Sequence, residues 1–351
     1  MDARSEVLVV GGGPAGAEAA RAAAESGASV LLIEAKRRFG EWPHCAEYVP
    51  RLLARETAFP SRGVVQAVEA METFVDGRSV VTPAPGFILD RGVFDHGLAL
   101  AAAAAGAELW AGVRLIRIQD EAFVFRGSRG EETVRAGAVV AADGAGSTVR
   151  RLLGLPAPAR LTGIQVEVPL AAPLSRTLVF FTREYRHGYA WLFPKGGAAN
   201  LGVGMREDAP GRARSLLGKL AQDLIARGLT RPGVLARSAG AIGISGPPAR
   251  LSLDRVLFTG DAAGLTHPVT GAGLPQAAFS GRAAGLAAVR LVRGDRDAPA
   301  QYENEVRDRY GRALAWAVAK RKMIEESWDE EDFAGLVQKT WPAFPEYRNA
   351  P

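Results

Sequence analysis

Cysteine is almost absent from this sequence, and long apolar runs are missing. Cys45 is the single cysteine among 351 residues, so an intramolecular disulfide and a four-thiolate metal site are excluded, and we expect no bound metal. No apolar stretch approaches the roughly 20 residues that a membrane-spanning helix requires. The first six residues lead into an apolar run without a signal-peptide pattern. These features predict a cytoplasmic protein in which any contact with a membrane is peripheral.

A strong excess of one charge is also missing. The chain has 43 basic and 38 acidic residues, a formal net charge of +5, and it has no long Lys/Arg run or zinc-ligand spacing. We therefore expect no nucleic-acid partner. The basic excess gathers between residues 307 and 322. This stretch is either the solvated face of a helix or a surface for an anionic ligand or membrane headgroups.

Hydrophobic residues, by contrast, make up 48% of the chain, enough for a sizeable core in two associated domains. Near the N-terminus, the apolar residues 7–10 end in glycines and predict a buried parallel strand. Residues 14–26 are rich in Ala and Glu and predict a helix that stops at Gly27. Residues 29–33 predict a second buried strand, which completes one βαβ unit.

The turn of this βαβ unit has the spacing GxGxxG. Gly11 permits the tight turn, Gly13 lets a pyrophosphate approach the backbone, and Gly16 lets the helix pack on the strand. Pro14 and Ala15 lie at the helix N-terminus, where free N–H groups and the positive end of the dipole attract phosphates. The turn therefore predicts a binding site for a dinucleotide.

The end of the second strand carries an acidic residue, as such sites require. Glu34 follows Gly13 by 21 residues, where a carboxylate accepts hydrogen bonds from a ribose hydroxyl, and Ala35 comes next. The spacing predicts a dinucleotide but does not distinguish FAD from NAD.

Two later motifs make that distinction. Asp143-Gly144 ends a buried strand at residues 138–142, and Gly260-Asp261 ends another at residues 256–259. Gly271, Ala272 and Gly273 then precede a long helix rich in small residues. With these motifs the sequence resembles the FAD-dependent hydroxylases and related reductases that share the p-hydroxybenzoate hydroxylase fold.

The resemblance implies roles for these residues. Asp261 would bind the ribityl chain of FAD, Asp143 would serve the phosphate region, and the glycines at 271 and 273 would let a helix N-terminus face the isoalloxazine ring. Arg91, in Asp-Arg-Gly-Val-Phe-Asp, matches an arginine that the family places near the flavin. We expect FAD to be bound non-covalently. Since the chain has no second GxGxxG in a βαβ unit, NAD(P)H would bind only transiently as the reductant.

The predicted fold is α/β, with a Rossmann-like FAD-binding domain interrupted by an antiparallel-sheet substrate domain and followed by a helical C-terminus. We assign residues 1–62, 93–160 and 250–298 to the FAD-binding domain. Residues 63–92 and 161–249 form the substrate domain. Residues 299–351 form the tail, which we expect to be helical to about Ser327 and irregular afterwards.

One aromatic segment indicates a branch of this superfamily. Tyr189, Trp191 and Phe193 lie in Tyr-Ala-Trp-Leu-Phe-Pro, and Gly202-Val203-Gly204 follows. The segment resembles the YxWxFP and GxG signature of geranylgeranyl reductases. Alternate residues of a strand share a face, so the three rings would line one apolar wall suited to an isoprenoid or another flat hydrophobic group. The rings could equally fill the core, and flavin-dependent halogenases carry a related WxWxIP.

The loop with the single cysteine is the second branch feature. It reads Trp42-Pro43-His44-Cys45-Ala46-Glu47 and resembles the Cys-Gly-Glu loop of archaeal geranylgeranyl reductases. The resemblance implies that Cys45 lies near the flavin and takes part in reduction. The neighbouring His44 either tunes the thiol pKa or donates a proton, or it is a solvated histidine of the loop. Ala46 replaces the family's glycine and thereby removes backbone freedom.

Three functions are compatible with these motifs. The first is reduction of a C=C bond in a prenyl-type or other hydrophobic substrate by hydride from reduced FAD. The second is an FAD-dependent monooxygenase that hydroxylates an aromatic or partner-presented substrate through a flavin C4a-hydroperoxide. The third is a flavin-binding subunit that docks on a partner and has no catalysis of its own. The short C-terminal part favours a small substrate or one presented by a partner.

Overall fold

The computed structural model describes residues 2–41, 43–55, 57, 59–207, 209 and 211–349, so Trp42 lies outside the described residues. Within these ranges the chain forms two eight-stranded sheets. The strands in chain order are β1 (Asp2–Val10), β2 (Val30–Glu34), β3 (Tyr48–Pro50), β4 (Val64–Val75), β5 (Arg78–Leu89), β6 (Glu108–Ala111), β7 (Arg114–Gln119), β8 (Ala122–Gly127), β9 (Gly130–Ala141), β10 (Arg160–Pro169), β11 (Arg176–Phe181), β12 (Tyr189–Lys195), β13 (Ala198–Met205), β14 (Ala236–Gly243), β15 (Ser252–Leu253) and β16 (Val256–Phe258).

Helices cover both sheets. In the described part of the chain they are α1 (Pro14–Glu25), α2 (Arg91–Ala104), α3 (Thr148–Leu152), α4 (Arg212–Ala226), α5 (Leu274–Val292), α6 (Ala298–Val306), α7 (Arg312–Ser327) and α8 (Phe333–Thr340). None of the helices in the described ranges has the length and apolar character needed to cross a membrane.

The first sheet is the nucleotide-binding one. Its order is β15-β16-β9-β1-β2-β6, with β7 and β8 attached beside β9, and β1 pairs in parallel with both β2 and β9. The centre of β1 is fully buried because α1 and α5 cover the sheet. A Cβ atom on Gly281 or Gly285 of α5 would lie 2.1 or 2.2 Å from a carbonyl oxygen of α1. The small-residue character of α5 is therefore what lets the two helices pack closely.

The second sheet has the order β14-β10-β13-β12-β11-β4-β5-β3. One face is covered by α4, whose leucines 216, 217, 220 and 224 are buried. Most neighbours are antiparallel, as predicted, but β11 pairs in parallel with β4, with Thr177 opposite Met71. The predicted antiparallel sheet therefore contains one parallel pair, formed by strands from two segments that part of the first domain separates in the chain.

The α/β fold predicted from the sequence is confirmed, with differences in detail. Strand β3 lies within residues 1–62, which we assigned to the FAD-binding domain, but it pairs with β5 in the second sheet. The tail was predicted to be irregular after Ser327, yet α8 forms there, and the Asp332 carboxylate caps it by accepting a hydrogen bond from Gly335 N at 2.8 Å. Pro342 and Pro345 follow this short helix instead of preventing it.

Candidate functional site

The glycine turn and the three acidic motifs meet at one edge of the first sheet. Gly11 follows β1, Glu34 ends β2, Asp143 follows β9 and Asp261 follows β16. The sheet order β16-β9-β1-β2 makes these four strands neighbours. Because the strands are parallel, their carboxyl ends lie at the same edge, where ligands bind in open α/β sheets. Residues up to 250 positions apart in sequence thus form one row.

The glycines of the turn have distinct steric environments. Gly11 has φ +104°, and a Cβ atom on Gly16 would lie 1.8 Å from Gly11 O. A Cβ atom on Gly13 would instead meet no atom of the described residues within 4 Å. Pro14 is the first residue of α1, and Ala15 Cβ lies against Gly260. The turn therefore packs tightly on the protein side and is open in front of the N-terminus of α1.

The backbone orients the Glu34 carboxylate. Its Oε2 accepts a hydrogen bond from Gly12 N at 2.7 Å, and its Oε1 accepts one from Lys36 N at 2.8 Å. Ala35 lies between these contacts, half-buried at the end of β2. The carboxylate is thus held beside the glycine turn.

The two aspartates at this edge are also held by hydrogen bonds. Asp143 accepts bonds from Ser147 Oγ at 2.6 Å and Val149 N at 3.0 Å. Burial raises the pKa of the Asp143 carboxyl, and these bonds partly oppose the rise. Asp261 Oδ1 accepts a bond from Thr266 Oγ1 at 2.7 Å. Both carboxylates are therefore fixed in place by their own loops.

A cavity of about 490 Å³ lies between this edge and the second sheet. It brings together three groups of residues from the sequence analysis: His44 and Cys45, the aromatic residues of β12, and the loop before α5. Its walls are predominantly apolar. Glu34, Ala35, Asp143 and Asp261 do not line it and stay along the sheet edge. Gly271, Ala272 and Gly273 are thus the predicted cofactor residues that reach the cavity.

Tyr189, Trp191 and Phe193 all line this cavity from β12. Ring centroids of Tyr189 and Trp191 lie 5.9 Å apart, and the Tyr189 hydroxyl donates a hydrogen bond to Thr270 O. A Cβ atom on Gly202, opposite Trp191 on β13, would lie 2.2 Å from the indole ring. The first glycine of the GxG motif therefore makes room for the Trp191 ring.

Sequence reasoning missed Gln165 on β10, which links the aromatic wall to the cysteine loop. Its Oε1 accepts a hydrogen bond from Trp191 Nε1 at 2.9 Å, and its Nε2 donates one to Cys45 O at 3.1 Å. No motif singled out this glutamine, because its partners are 26 and 120 residues away in the chain.

Cys45 lines the cavity, and the surroundings of its side chain shift the thiol pKa. Burial raises the pKa of Cys45, while the Arg91 charge and a hydrogen bond from Glu47 N, 3.2 Å from Sγ, oppose this rise. His44 lies next to Cys45 in the chain, and much of its side chain is accessible to solvent. Burial of the remaining part and the charge of Lys36 lower the pKa of its imidazole.

The replacement of the family's glycine by Ala46 carries no backbone strain. The residue in the left-handed region is Glu47, with φ +72°, and Ala46 is not among the positive-φ residues. Position 46 therefore does not require the backbone freedom that a glycine would provide.

Glu47 is a second residue that the sequence analysis left without a role. Its side chain is 6% exposed, and Oε1 accepts a hydrogen bond from Arg91 N at 3.0 Å. Oε2 accepts one from Asn200 Nδ2 and forms an ion pair with Lys195 Nζ, both at 2.7 Å. Glu47 thus ties the cysteine loop to β12, β13 and α2.

Arg91 does not line the cavity. Its Nε and Nη2 donate to the two carboxylate oxygens of Asp95 at 2.7 and 2.8 Å, and both side chains are buried. Together with the electrostatic interaction with Cys45, this pairing raises the pKa of Arg91 despite its burial. The guanidinium therefore belongs to a buried ion pair with Asp95 and also interacts with the Cys45 side chain.

The C-terminal tail also reaches the cavity. Trp341, Pro342 and Ala343, which follow α8, line it beside Tyr189. No sequence pattern predicts this contact, because Tyr189 lies about 150 residues earlier in the chain.

Known FAD-dependent proteins are similar in sequence to this chain. The family model described as "FAD dependent oxidoreductase" matches residues 6–40, which include the glycine turn and Glu34. "Digeranylgeranylglycerophospholipid reductase 2" of Methanopyrus kandleri is 32% identical over 354 residues, covering 93% of this chain and 88% of the relative. The protein of the same name from Methanothermobacter thermautotrophicus is 35% identical over 347 residues, covering 93% of this chain and 89% of the relative.

A solved structure supports the fold. The "geranylgeranyl bacteriochlorophyll reductase-like" protein of Thermoplasma acidophilum has a TM-score of 0.85 at 23% identity, covering 97% of this chain and 98% of its own. The two reductases match this chain at 30% identity or more over nearly its whole length. The chain therefore belongs to the geranylgeranyl reductase-like branch of the FAD-dependent oxidoreductases, and it is an FAD-dependent enzyme.

Proposed function

We propose that this enzyme reduces a C=C bond of a prenyl-type or otherwise hydrophobic substrate. One observation carries the proposal: the single cysteine, the aromatic wall of β12 and the loop of Gly271–Gly273 line the same apolar cavity. The names of the two relatives support a prenyl chain as the substrate group. A substrate of this kind would come from a membrane or a partner, which agrees with the expected peripheral contact.

The residues along the sheet edge fit FAD. The open space before Gly13 and the N-terminus of α1 would take the pyrophosphate, because free N–H groups and the helix dipole favour anions there. Glu34 would accept bonds from a ribose hydroxyl, and Asp261 would do so from the ribityl chain. We expect these hydrogen-bonding groups to hold FAD non-covalently. NAD(P)H would act as a transient reductant.

When bound and reduced, FAD supplies a hydride to the substrate. The protein must then add a proton to the second carbon of the double bond. Cys45 would supply this proton because it lines the cavity. Burial raises the pKa of its thiol, so the thiol enters the step with its proton bound. The charge of Arg91 would stabilise the thiolate until a proton from solvent restores the thiol.

The cavity walls contribute orientation and exclusion of water. Tyr189, Trp191 and Phe193 present apolar faces that would hold a prenyl chain. Gln165 bonds both to the Trp191 ring and to the Cys45 backbone, so it fixes the position of one relative to the other. A prenyl substrate lying on Trp191 would therefore stay aligned with the proton donor.

The test is anaerobic reoxidation of the flavin. The FAD-loaded protein is reduced, mixed with geranylgeraniol without oxygen, and followed by flavin absorbance and product mass. We expect oxidised flavin and a product heavier than geranylgeraniol by two hydrogens. Sluggish reoxidation without oxygen, together with an oxygen-dependent hydroxylated product, would replace it with the monooxygenase alternative.

A further inference from the structure

The C-terminal tail supplies an aromatic ring to the substrate cavity. Trp341 follows α8, lines the cavity with Pro342 and Ala343, and is only 3% exposed. The other aromatic residues of the cavity come from the second sheet and the cysteine loop. The Trp341 ring is therefore one wall of the cavity, and the tail places it opposite residues that lie far earlier in the sequence.

Trp341 is held there by ring contacts. Its centroid lies 4.9 Å from that of Tyr189 and 5.0 Å from that of Phe181. Its indole N–H is buried and has no acceptor among the residues that the structure describes. A buried donor without a partner is unfavourable. Hydrogen bonding therefore does not explain this residue, and its contribution is the volume and apolar surface of the ring.

The tail is anchored on both sides of the ring by contacts that do not involve it. Before it, the Asp332 carboxylate caps α8. After it, Trp316 Nε1 donates to Tyr347 O at 3.1 Å, and Lys320 Nζ donates to Asn349 O at 2.7 Å. A change of the Trp341 side chain therefore enlarges the cavity while these anchors hold the backbone.

We propose that Trp341 sets the length of the apolar substrate segment that the cavity accepts. The inference rests on the proposed function, since it concerns the same cavity. The nine-atom indole occupies space that would otherwise hold roughly one five-carbon isoprene unit. Substrates longer than the limit must leave the excess outside the cavity, where it gains no burial.

The experiment measures binding by the FAD-loaded protein, without turnover. Prenyl alcohols of 5, 10, 15, 20, 25 and 30 carbons are titrated by calorimetry into wild type, Trp341→Ala and Trp341→Phe. We expect the affinity of wild type to rise with length and then level off. In Trp341→Ala the affinity should level off at an alcohol one isoprene unit longer than in wild type. The first alcohol beyond the wild-type limit should bind about tenfold more tightly to Trp341→Ala than to wild type. Trp341→Phe should keep the wild-type limit.

The matched control is Trp328→Ala. Trp328 belongs to the same apolar cluster, is also 3% exposed and does not line the cavity. This variant loses comparable packing and should keep the wild-type limit. If Trp341→Ala does not retain FAD, Trp341→Leu provides the same comparison with a smaller loss of volume.

Two outcomes would overturn the inference. An unchanged limit in Trp341→Ala and Trp341→Leu would show that the ring does not set the length, while the proposed function would stand. Failure of wild type to bind any of the alcohols would instead refute the prenyl-type substrate, and the inference with it.

Discussion

The carboxylate Oε2 of Glu47 lies 2.7 Å from Lys195 Nζ, and this ion pair connects the cysteine loop to the last residue of β12. Glu47 also has φ +72°, a region that costs a residue with a side chain roughly 1–2 kcal/mol. The strain is offset by the ion pair and by the bonds to Asn200 Nδ2 and Arg91 N. One residue therefore holds the loop that carries the thiol.

Replacing Glu47 should destabilise the protein more than replacing its neighbour Glu167. Glu47→Ala leaves a mostly buried Lys195 without its closest carboxylate, so we expect a loss of about 3 kcal/mol in the free energy of unfolding. Glu167 lies 3.6 Å from the same ammonium and is more exposed, so Glu167→Ala should cost less than about 1 kcal/mol. Urea unfolding measures both.

Glu47→Gly serves as the control for backbone strain. Glycine adopts a positive φ freely, so this variant should be about 1 kcal/mol more stable than Glu47→Ala. Equal effects of Glu47→Ala and Glu167→Ala would contradict the role assigned to the Glu47–Lys195 pair.

Cys45→Ser should impair turnover and leave the cofactor in place. A serine hydroxyl is a much weaker acid than a thiol, so we expect kcat to fall about 100-fold while KM and FAD content stay close to wild type. Since burial raises the thiol pKa, wild-type kcat should be constant through neutral pH and fall only in alkaline solution. Steady-state kinetics across pH check both statements. A kcat equal to wild type would exclude Cys45 as the proton donor.

Alanine substitutions at two glycines of the turn should have different effects, one on cofactor binding and the other on protein stability. Gly13 has an extended backbone, φ −74° and ψ −175°, and open space for a Cβ atom. Gly13→Ala should therefore leave the stability of the FAD-free protein unchanged and weaken FAD binding at least about tenfold. Gly16→Ala puts a Cβ atom 1.8 Å from Gly11 O and should destabilise the FAD-free protein by about 3 kcal/mol.

Thermal unfolding of the FAD-free variants and fluorescence titration with FAD distinguish the two effects. Tight FAD binding by Gly13→Ala would be incompatible with a pyrophosphate lying against that glycine.

His267 should make stability depend on pH in mildly acid solution. Its Nδ1 accepts hydrogen bonds from Val269 N and Thr270 N at 3.3 and 3.2 Å, which requires an unprotonated nitrogen. Burial lowers the pKa of His267 from 6.5 to about 4. As the pH falls, the unfolded chain therefore binds a proton at His267 before the folded protein does. The contribution of His267 to the free energy of unfolding is fully present above pH 6.5 and decreases toward pH 4, by at most about 3 kcal/mol.

The matched variant is His267→Asn, whose side-chain oxygen can accept the same bonds but cannot be protonated. Its stability should change less than that of wild type between pH 6.5 and 4, as measured by urea unfolding at several pH values. Parallel curves for the two proteins would exclude His267 as the source of this dependence.

The nucleotide-binding half was readable from the sequence because its rules are local. Gly11, Gly16 and Glu34 follow from a turn that tolerates only certain residues at a set spacing, and one helix and two strands surround them. Strands such as β6, β7 and β8 were not predicted, since no motif marks them. The tail was misjudged because its prolines indicated a break, while the helix before them is stabilised by its cap and by apolar packing, such as that of Phe333 on Trp328.

By itself, the sequence determined the α/β architecture, the dinucleotide edge, and the residues Cys45, Tyr189, Trp191 and Phe193 as candidates. Only the tertiary structure decided which residues face the same cavity as these. The links from Gln165 to Cys45, from Glu47 to Lys195 and from Trp341 to Tyr189 join positions 120 to 152 residues apart. Such contacts depend on how two sheets and a tail pack together, and short-range spacing carries no information about that packing.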